Sequence, residues 1–390
     1  MKPLRILSVA NVPKDRNAGA AGAELETILA LRELGHEVDD IWSDTIGRRI
    51  SHGNLHQLIE LPRRYAQVVR GRLHEKSYDV VHVNQPHGFA AARYVRERAP
   101  ATVFIHRSHG FEPRVEEVLA PWRKVYGIDG RGGWRRIASS VLGALLARHN
   151  RQIVRWADGH ILCSQQDADF MIQRFGAEPA RVAVLPQAAP DSFRGPLAPM
   201  TPERLRTILY VGQYAFVKAP MVVAQAMNLI ARERPDARFI WIAGGNNHED
   251  IRALLDADVL SRLELVPWID QAELPAHFDR AGIFLFPSFF EGSGKAHLEA
   301  LSRGLCVVTT RVGGMRDTIS DGVTGALVNP GDATAVASRA LALMDDLAAA
   351  SAMSRAAGAR ARELSWHRTA IETAAFYRRV LDLKKMGHAG

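Results

Sequence analysis

Short apolar runs recur along the chain, and between them apolar residues return at helical spacing. The run Arg5-Ile-Leu-Ser-Val-Ala-Asn11 reads as a buried strand. A glycine- and alanine-rich turn follows at Gly19–Gly22. Ala23 to Leu34 then carries a helical pattern that Gly35 stops. The same alternation predicts strands at 36–42, 79–84, 101–106, 159–164 and 181–185. It restarts at 207–212 and continues through 239–244, 263–266, 283–286 and 306–310. Strands separated by helices predict an α/β chain with parallel sheets covered on both faces.

Between the two series, Pro186, Pro190, Pro196, Pro199 and Pro202 crowd a short polar stretch. The organisation that follows is a Rossmann-like domain at 1–190, a linker at 191–203, and a second Rossmann-like domain at 204–365. A terminal helix at 366–390 places Trp366, Ile371, Phe376, Tyr377, Val380 and Leu381 on an apolar face. In such sheets ligands bind beyond the carboxyl ends of the strands, so the chemistry is sought there.

Composition narrows the class. A hydrophobic fraction of 47% and a charged fraction of 24% over 390 residues exclude a disordered or fibrous chain. Cys163 and Cys306 are too few for a disulfide framework or a zinc site of their own, which predicts reduced thiols and a cytoplasmic setting. No apolar run is long enough to predict a membrane-spanning helix. The first apolar run, Leu4 to Val12, is broken by Arg5 and Asn11 and reads as a strand rather than a signal peptide.

The net charge of +8 is concentrated: residues 46–155 hold 20 Lys and Arg against 8 Asp and Glu. Such a stretch favours an anionic partner. Within it lie Pro121-Trp-Arg-Lys124, Gly133-Trp-Arg-Arg136 and a helix-like run, Ile137 to Arg155. That run carries Val141, Leu142, Leu145, Leu146 and Ile153 beside Arg148, Arg151 and Arg155. Two readings stand: a basic amphipathic helix at 111–155 on an anionic membrane surface, or an ordinary helix packed on the sheet. Nucleic acid is not an expected partner, because no aromatic platform or known module accompanies the charge. No G-x-G-x-x-G follows the first strand, which argues against a nicotinamide dehydrogenase.

The most informative segment runs from Phe284 to Gly304. A buried strand ends at Pro287, and the loop Glu291-Gly-Ser-Gly294 leads into a helix starting at Lys295. Gly292 and Gly294 let the backbone approach a ligand, and free N–H groups at a helix start hold phosphate. Glu299 lies about two helical turns beyond Glu291. Carboxylates at such a place accept hydrogen bonds from sugar hydroxyls. Taken alone, the pair also fits a helix-terminal charge and a solvated glutamate.

This segment resembles the signature of family-four (group 1) retaining glycosyltransferases of the GT-B type: glutamate, seven intervening residues, glutamate, then alanine and a short loop to glycine. The resemblance runs in order over most of the chain. It includes Gly19 to Glu24 as a glycine loop, Asp79-Val-Val-His82, His109-Gly110, Ala157-Asp158 with Ser164, Val211-Gly212 with Lys218, Gly313-Gly314, Asp321 to Gly325 and Val328 to Asp332.

The resemblance implies two Rossmann-like domains with a deep cleft between them. The acceptor would bind the N-terminal domain and a nucleotide-sugar donor the C-terminal one. The terminal helix would cross back to the N-terminal domain. By the same likeness Glu299 holds the ribose hydroxyls, Glu291 the donor sugar, and Lys218 the diphosphate. Gly22, Gly212, Gln213, Gly292, Ser293, Gly294 and Lys295 line the donor site. His109 sits at the transferred sugar, with His106 as a competitor and a packed loop histidine as the bland alternative.

Retention by front-face attack would need no covalent carboxylate. No metal and no resident cofactor are implied, the nucleotide sugar being a substrate. Asp-Ala-Asp at 167–169 and 256–258 falls in helical, charged stretches. The acceptor would be a glycan or lipid-linked glycan of cell-surface polysaccharide or lipopolysaccharide synthesis, reached in the cytoplasm or at the inner membrane face. The alternatives are a GT-B epimerase or phosphorylase, or a sugar-nucleotide-binding protein without transferase activity.

This chain departs from the pattern at Gln213, where the family carries arginine, and, as a smaller change, at Ala219, where it carries glycine. Gln187-Ala188 replaces asparagine-glycine before the linker. A neutral amide supplies neither charge nor a guanidinium fork. Lys295 stands at a helix start, where a cation is unfavourable unless an anion is near. It is therefore the expected source of the charge that Gln213 lacks.

Overall fold

The computed structural model describes residues 2–128 and 134–388, apart from the side chains of 134–142, 387 and 388. The chain forms two compact units. One comprises Met1–Leu185 with Trp366–Gly390, the other Pro186–Ser365.

The sheet of the first unit contains β1 (Arg5–Val9), β2 (Glu37–Ile41), β3 (Val80–Asn84), β4 (Val103–Arg107), β5 (Gly159–Leu162) and β6 (Val182–Val184). Its order is β2-β1-β3-β4-β5-β6, and every pairing is parallel. β3 and β4 are buried at every position, as strands covered on both faces must be. The core joins Leu7 and Val9 of β1 and Val81 and Val83 of β3 to Tyr65, Val69, Val95 and Ile153 from the covering helices.

The helix Trp366–His388 packs on this unit. Lys384 near its end donates to Asp158 Oδ2 at 2.8 Å and to the Thr102 carbonyl at 2.7 Å, all buried. Gly159 leaves room for it: a Cβ there would stand 2.9 Å from Val380 Cγ2.

The second sheet contains β7 (Thr207–Val211), β8 (Arg238–Ile242), β9 (Leu263–Val266), β10 (Ile283–Phe286), β11 (Cys306–Thr310) and β12 (Ala326–Val328), in the order β12-β11-β10-β7-β8-β9 and parallel throughout. The short edge strand β12 is not predicted by the apolar pattern. The proline-rich stretch belongs to this unit and is anchored in it. Leu197 fills the space that Gly304 and Gly358 leave open, where a Cβ would meet it at 3.2 and 2.6 Å.

Each sheet reverses its strand order at one point, between β1 and β3 in the first and between β7 and β10 in the second. The loops leaving the sheet on either side of such a point are the standard ligand position of an open parallel sheet.

Candidate functional site

In the second unit the switch point brings together the loop after β7, 212–218, and the loop after β10, 287–294. Phe289 N donates to the Val217 carbonyl at 2.9 Å, which ties the loops together. Lys218 Nζ lies 2.6 Å from Glu291 Oε1 and 5.4 Å from the centre of the Phe286 ring. Ser288 Oγ donates to the same carboxylate oxygen at 2.8 Å. Glu291 is buried and Lys218 half-buried, so the ammonium is the more open partner.

Helix Lys295–Ser302 starts from Gly294, whose φ of +75° is left-handed and suits glycine. Glu299 on this helix is buried. Burial pushes its carboxyl above the usual range, partly offset by Lys295 and by a hydrogen bond from Gln271. Lys295 Nζ stands 3.9 Å from Glu299 Oε1. Each glutamate of the site therefore faces its own lysine.

Gly313 and Gly314 are fixed by close approach. A Cβ on Gly313 would lie 1.9 Å from the Glu291 carbonyl oxygen, and one on Gly314 2.6 Å from the Ser293 carbonyl oxygen. Gly314 N donates to the Gly292 carbonyl at 2.8 Å. His297, buried on the same helix, contacts the Gly294 carbonyl through Nδ1 and Thr318 Oγ1 through Nε2, the latter at 2.7 Å. Burial pulls its imidazole down to about 4. These residues shape the glutamate loop. His297, Gln271 and Ser288 are not singled out by any sequence motif.

In the first unit, Glu24 lies buried in helix Gly19–Glu33 at the centre of a polar cluster. Ser8 Oγ donates to it at 2.9 Å. His82 Nε2, Arg107 Nη1 and His109 Nε2 lie 3.4, 3.5 and 3.7 Å from its oxygens. Burial alone would raise this carboxyl; the surrounding imidazoles and guanidinium outweigh it and hold Glu24 far below the carboxylate range. His109 Nδ1 lies 4.0 Å from Cys163 Sγ. Contacts to that thiol and to Glu24 raise the His109 imidazole against its own burial. His106 is fully buried beside His160, with Nδ1 atoms 3.4 Å apart, and burial lowers it well below its usual value.

The switch point of this sheet opens a cavity of about 540 Å³. Asn11 after β1, Ser43 after β2, and Gln85 and His87 after β3 contribute to its wall. Gln85 takes a φ of +73°, a strained conformation for a residue with a side chain.

Two family models match the chain. The one described as "Glycosyl transferase 4-like domain" covers residues 19–188, and the one described as "Glycosyl transferases group 1" covers 205–346. The chain belongs to the group 1 glycosyltransferases. Among its relatives, the D-inositol 3-phosphate glycosyltransferase of Pseudarthrobacter chlorophenolicus is 32% identical over 256 residues, 61% of this chain and 59% of that protein. The match thus spans about three fifths of that relative's length.

Solved structures confirm the GT-B fold of this group 1 chain. Sucrose-phosphate synthase from Thermosynechococcus elongatus superposes with a TM-score of 0.77 over 97% of this chain and all of that one, at 20% identity. Anabaena HepE, solved in complex with UDP, gives a TM-score of 0.66 at 16% identity over 95% and 99% of the two chains.

Two sequence expectations about the site are corrected in this family member. Gly19–Gly22 is not a loop: Gly22 N already bonds the Ala18 carbonyl, so these residues form the first turn of the helix that carries Glu24. Gly22 and His109 belong to the first unit, whereas Gly212, Gln213, Lys218, Glu291, Gly292, Ser293, Gly294, Lys295 and Glu299 belong to the second. Ala219 is not a minor change either, because it sits at φ +53°, ψ +52°, where glycine is at ease.

Gln213 is exposed beside Gly212, and a Cβ on Gly212 would strike the Tyr210 hydroxyl at 2.6 Å. Asp167 is held by Arg114 at 2.8 Å and Asp256 by Arg232 at 2.8 Å. Among the described residues no three His, Cys, Asp or Glu side chains form a metal-binding group.

The expected basic amphipathic helix is helix Trp134–Trp156. Its second half packs on the sheet: Ile153 is fully buried, and Trp156 lies against the core beneath Arg93, Arg96 and Arg155. Residues 129–133 and the side chains of Trp134, Arg135, Arg136, Ile137, Val141 and Leu142 fall outside the described residues. No helix among the described residues is long and apolar enough to cross a membrane.

Proposed function

We propose that this protein is a retaining glycosyltransferase that moves a sugar from a nucleotide-sugar donor to a hydroxyl of a glycan or lipid-linked glycan. The observation that carries this reading is the pair of glutamates with their lysines at the second switch point. Glu299 takes the ribose hydroxyls and Glu291 the donor-sugar hydroxyls, each exchanging an ammonium contact for hydroxyl donors. Lys218 then faces the diphosphate and stabilises the charge that the leaving group gains, the electrostatic contribution expected to dominate. Lys295 supplies the second cation at the helix start, where Gln213 supplies none.

Attack proceeds on the face from which the diphosphate leaves. The acceptor oxygen forms the new bond to the anomeric carbon, the carbon–oxygen bond to the diphosphate breaks, and a phosphate oxygen takes the acceptor proton. His109, oriented by Glu24, sits at the transferred sugar. The cavity of Asn11, Ser43, Gln85 and His87 receives the acceptor. The polyol-binding character of amide, hydroxyl and imidazole side chains supports that assignment.

The test is product analysis with uridine, guanosine, adenosine and thymidine diphosphate sugars, each with and without an extract of cell-surface glycans. The proposal expects acceptor-dependent release of one nucleoside diphosphate and a product of retained anomeric configuration. Isomerised donor without transfer, or phosphate-dependent release, would replace this reading with an epimerase or a phosphorylase. Donor binding without turnover would make it a binding protein.

A further inference from the structure

The basic excess of the N-terminal half has a second location, which the packing of helix Trp134–Trp156 does not absorb. Residues 53–75 form one continuous helical stretch with a π-helical turn at His56–Glu60. Such a turn adds a residue and shifts the faces of the helix, and it occurs often at functional places. Leu61, Tyr65 and Val69 point into the core. On the outer side Leu55 is 45% exposed and Ile59, four residues on, is 43% exposed.

Arg49 and Arg63 are exposed beside Ile59, and Arg70 is exposed about two turns beyond Arg63 on the same helix. Arg49, Ile50, Ile59, Arg63 and Arg64 line a shallow hollow of about 310 Å³. The segment 45–74 holds six arginines and one acid, Glu60. That carboxylate is consumed: it accepts from the backbone amides of Arg49 and Ile50 at 2.8 Å each, and it faces His56 at 2.9 Å and Arg64 at 3.4 Å. Arg72 is paired with Glu75. Among the described residues Arg49, Arg63 and Arg70 have no carboxylate partner. Arg123, in the stretch first suspected of meeting a membrane, is held by Glu116 at 2.5 Å.

We propose that the Leu55–Ile59 face, flanked by Arg49 and Arg63 and continued by Arg70 further along the same helix, docks on an anionic lipid bilayer. Two aliphatic side chains held in water gain by entering the acyl boundary, and guanidinium groups beside them gain from anionic headgroups. A nucleic acid would satisfy the arginines and leave the aliphatic centre wet. The same helical stretch contributes His56, Gln57 and Leu61 to the wall of the 540 Å³ cavity. A headgroup anchored in the bilayer is thereby brought to the cavity's own helix, a consequence that rests on the acceptor reading of that cavity.

The experiment is co-flotation of the full chain with phosphatidylcholine vesicles, with and without about a third phosphatidylglycerol, at low and raised salt. The protein is expected to float with the anionic vesicles only and to be released by salt. Leu55→Glu with Ile59→Glu is expected to abolish flotation, and Arg63→Glu with Arg70→Glu to weaken it by about tenfold or more. All four positions are outside the core, so unchanged melting temperatures report an intact fold. An unchanged melting shift with a nucleoside diphosphate tests the donor reading separately. Failure of the wild type to float with anionic vesicles would overturn the proposal, as would wild-type flotation of the Leu55→Glu, Ile59→Glu variant. Binding of a DNA duplex through the same arginines without vesicle binding would overturn it too.

Discussion

Lys218 Nζ and Glu291 Oε1 stand 2.6 Å apart although 73 positions separate them in the chain. The contact joins the two loops that leave the second sheet at its switch point, and it places a cation where a diphosphate would leave. Lys218→Ala is expected to lower turnover by about 10²–10³-fold, the usual loss of one charge-stabilising group. Lys218→Arg should recover part of it, since it keeps the charge and changes the shape. Steady-state kinetics with the cognate donor decide; an unimpaired Lys218→Ala enzyme would exclude the assigned role.

Lys295 is expected to carry phosphate affinity rather than nucleoside affinity. Replacement by methionine should weaken nucleoside diphosphate binding several-fold and leave the free nucleoside unchanged, as measured by calorimetry. Equal losses for both ligands would assign Lys295 to the fold of the helix start instead.

Gly313 admits no side chain. A Cβ would stand 1.9 Å from the Glu291 carbonyl oxygen at a φ of +49°, so Gly313→Ala must displace the glutamate loop. The expected cost is roughly 2–4 kcal/mol of stability in the C-terminal unit, in the range of a backbone clash at a special φ. Ala219 presents the opposite case. Its left-handed backbone costs more than glycine's extra freedom in the unfolded chain, so Ala219→Gly is expected to stabilise by about 0.5 kcal/mol. Thermal melting of the two variants reads both signs.

Acid should weaken the N-terminal unit first. His82, His87 and His160 there, and His297 in the other unit, are held by burial at about 4 rather than 6.5. Between those values the unfolded chain takes up protons that the folded chain refuses, so stability falls as pH falls from about 6.5 towards 4. At pH 5 the loss is about 2 kcal/mol for each imidazole. Hydrogen exchange at pH 7.5 and pH 5 should show protection lost mainly in Met1–Leu185. Equal loss in both units would contradict the assignment.

Most of the architecture is legible in the sequence because buried parallel strands read as unbroken apolar runs, as Ile283–Phe286 does. β12 escapes because three residues at a sheet edge leave no run to see. The start of the first helix is misplaced because Gly19 and Gly22 signal a loop, while the Ala18 carbonyl already accepts from Gly22. Glu291 and Glu299 are singled out by the glycine loop and the helix it opens, and Lys218 by the resemblance to the family. Their supports are not: Ser288, Gln271 and His297 carry no motif, and only the folded chain brings them to the glutamates. The buried charge cluster around Glu24 is hidden for the same reason, since Arg107 lies 83 positions away.

The central claim is that Glu299 and its neighbours bind a nucleoside diphosphate sugar. The most direct test is the melting temperature of the full chain with uridine, guanosine, adenosine and thymidine diphosphates, for the wild type and Glu299→Ala. At about 100 times its dissociation constant a ligand stabilises by about 2.7 kcal/mol. One diphosphate should raise the wild-type melting temperature by a few degrees and leave Glu299→Ala unmoved. No shift with any of the four, or an equal shift in Glu299→Ala, would contradict the account.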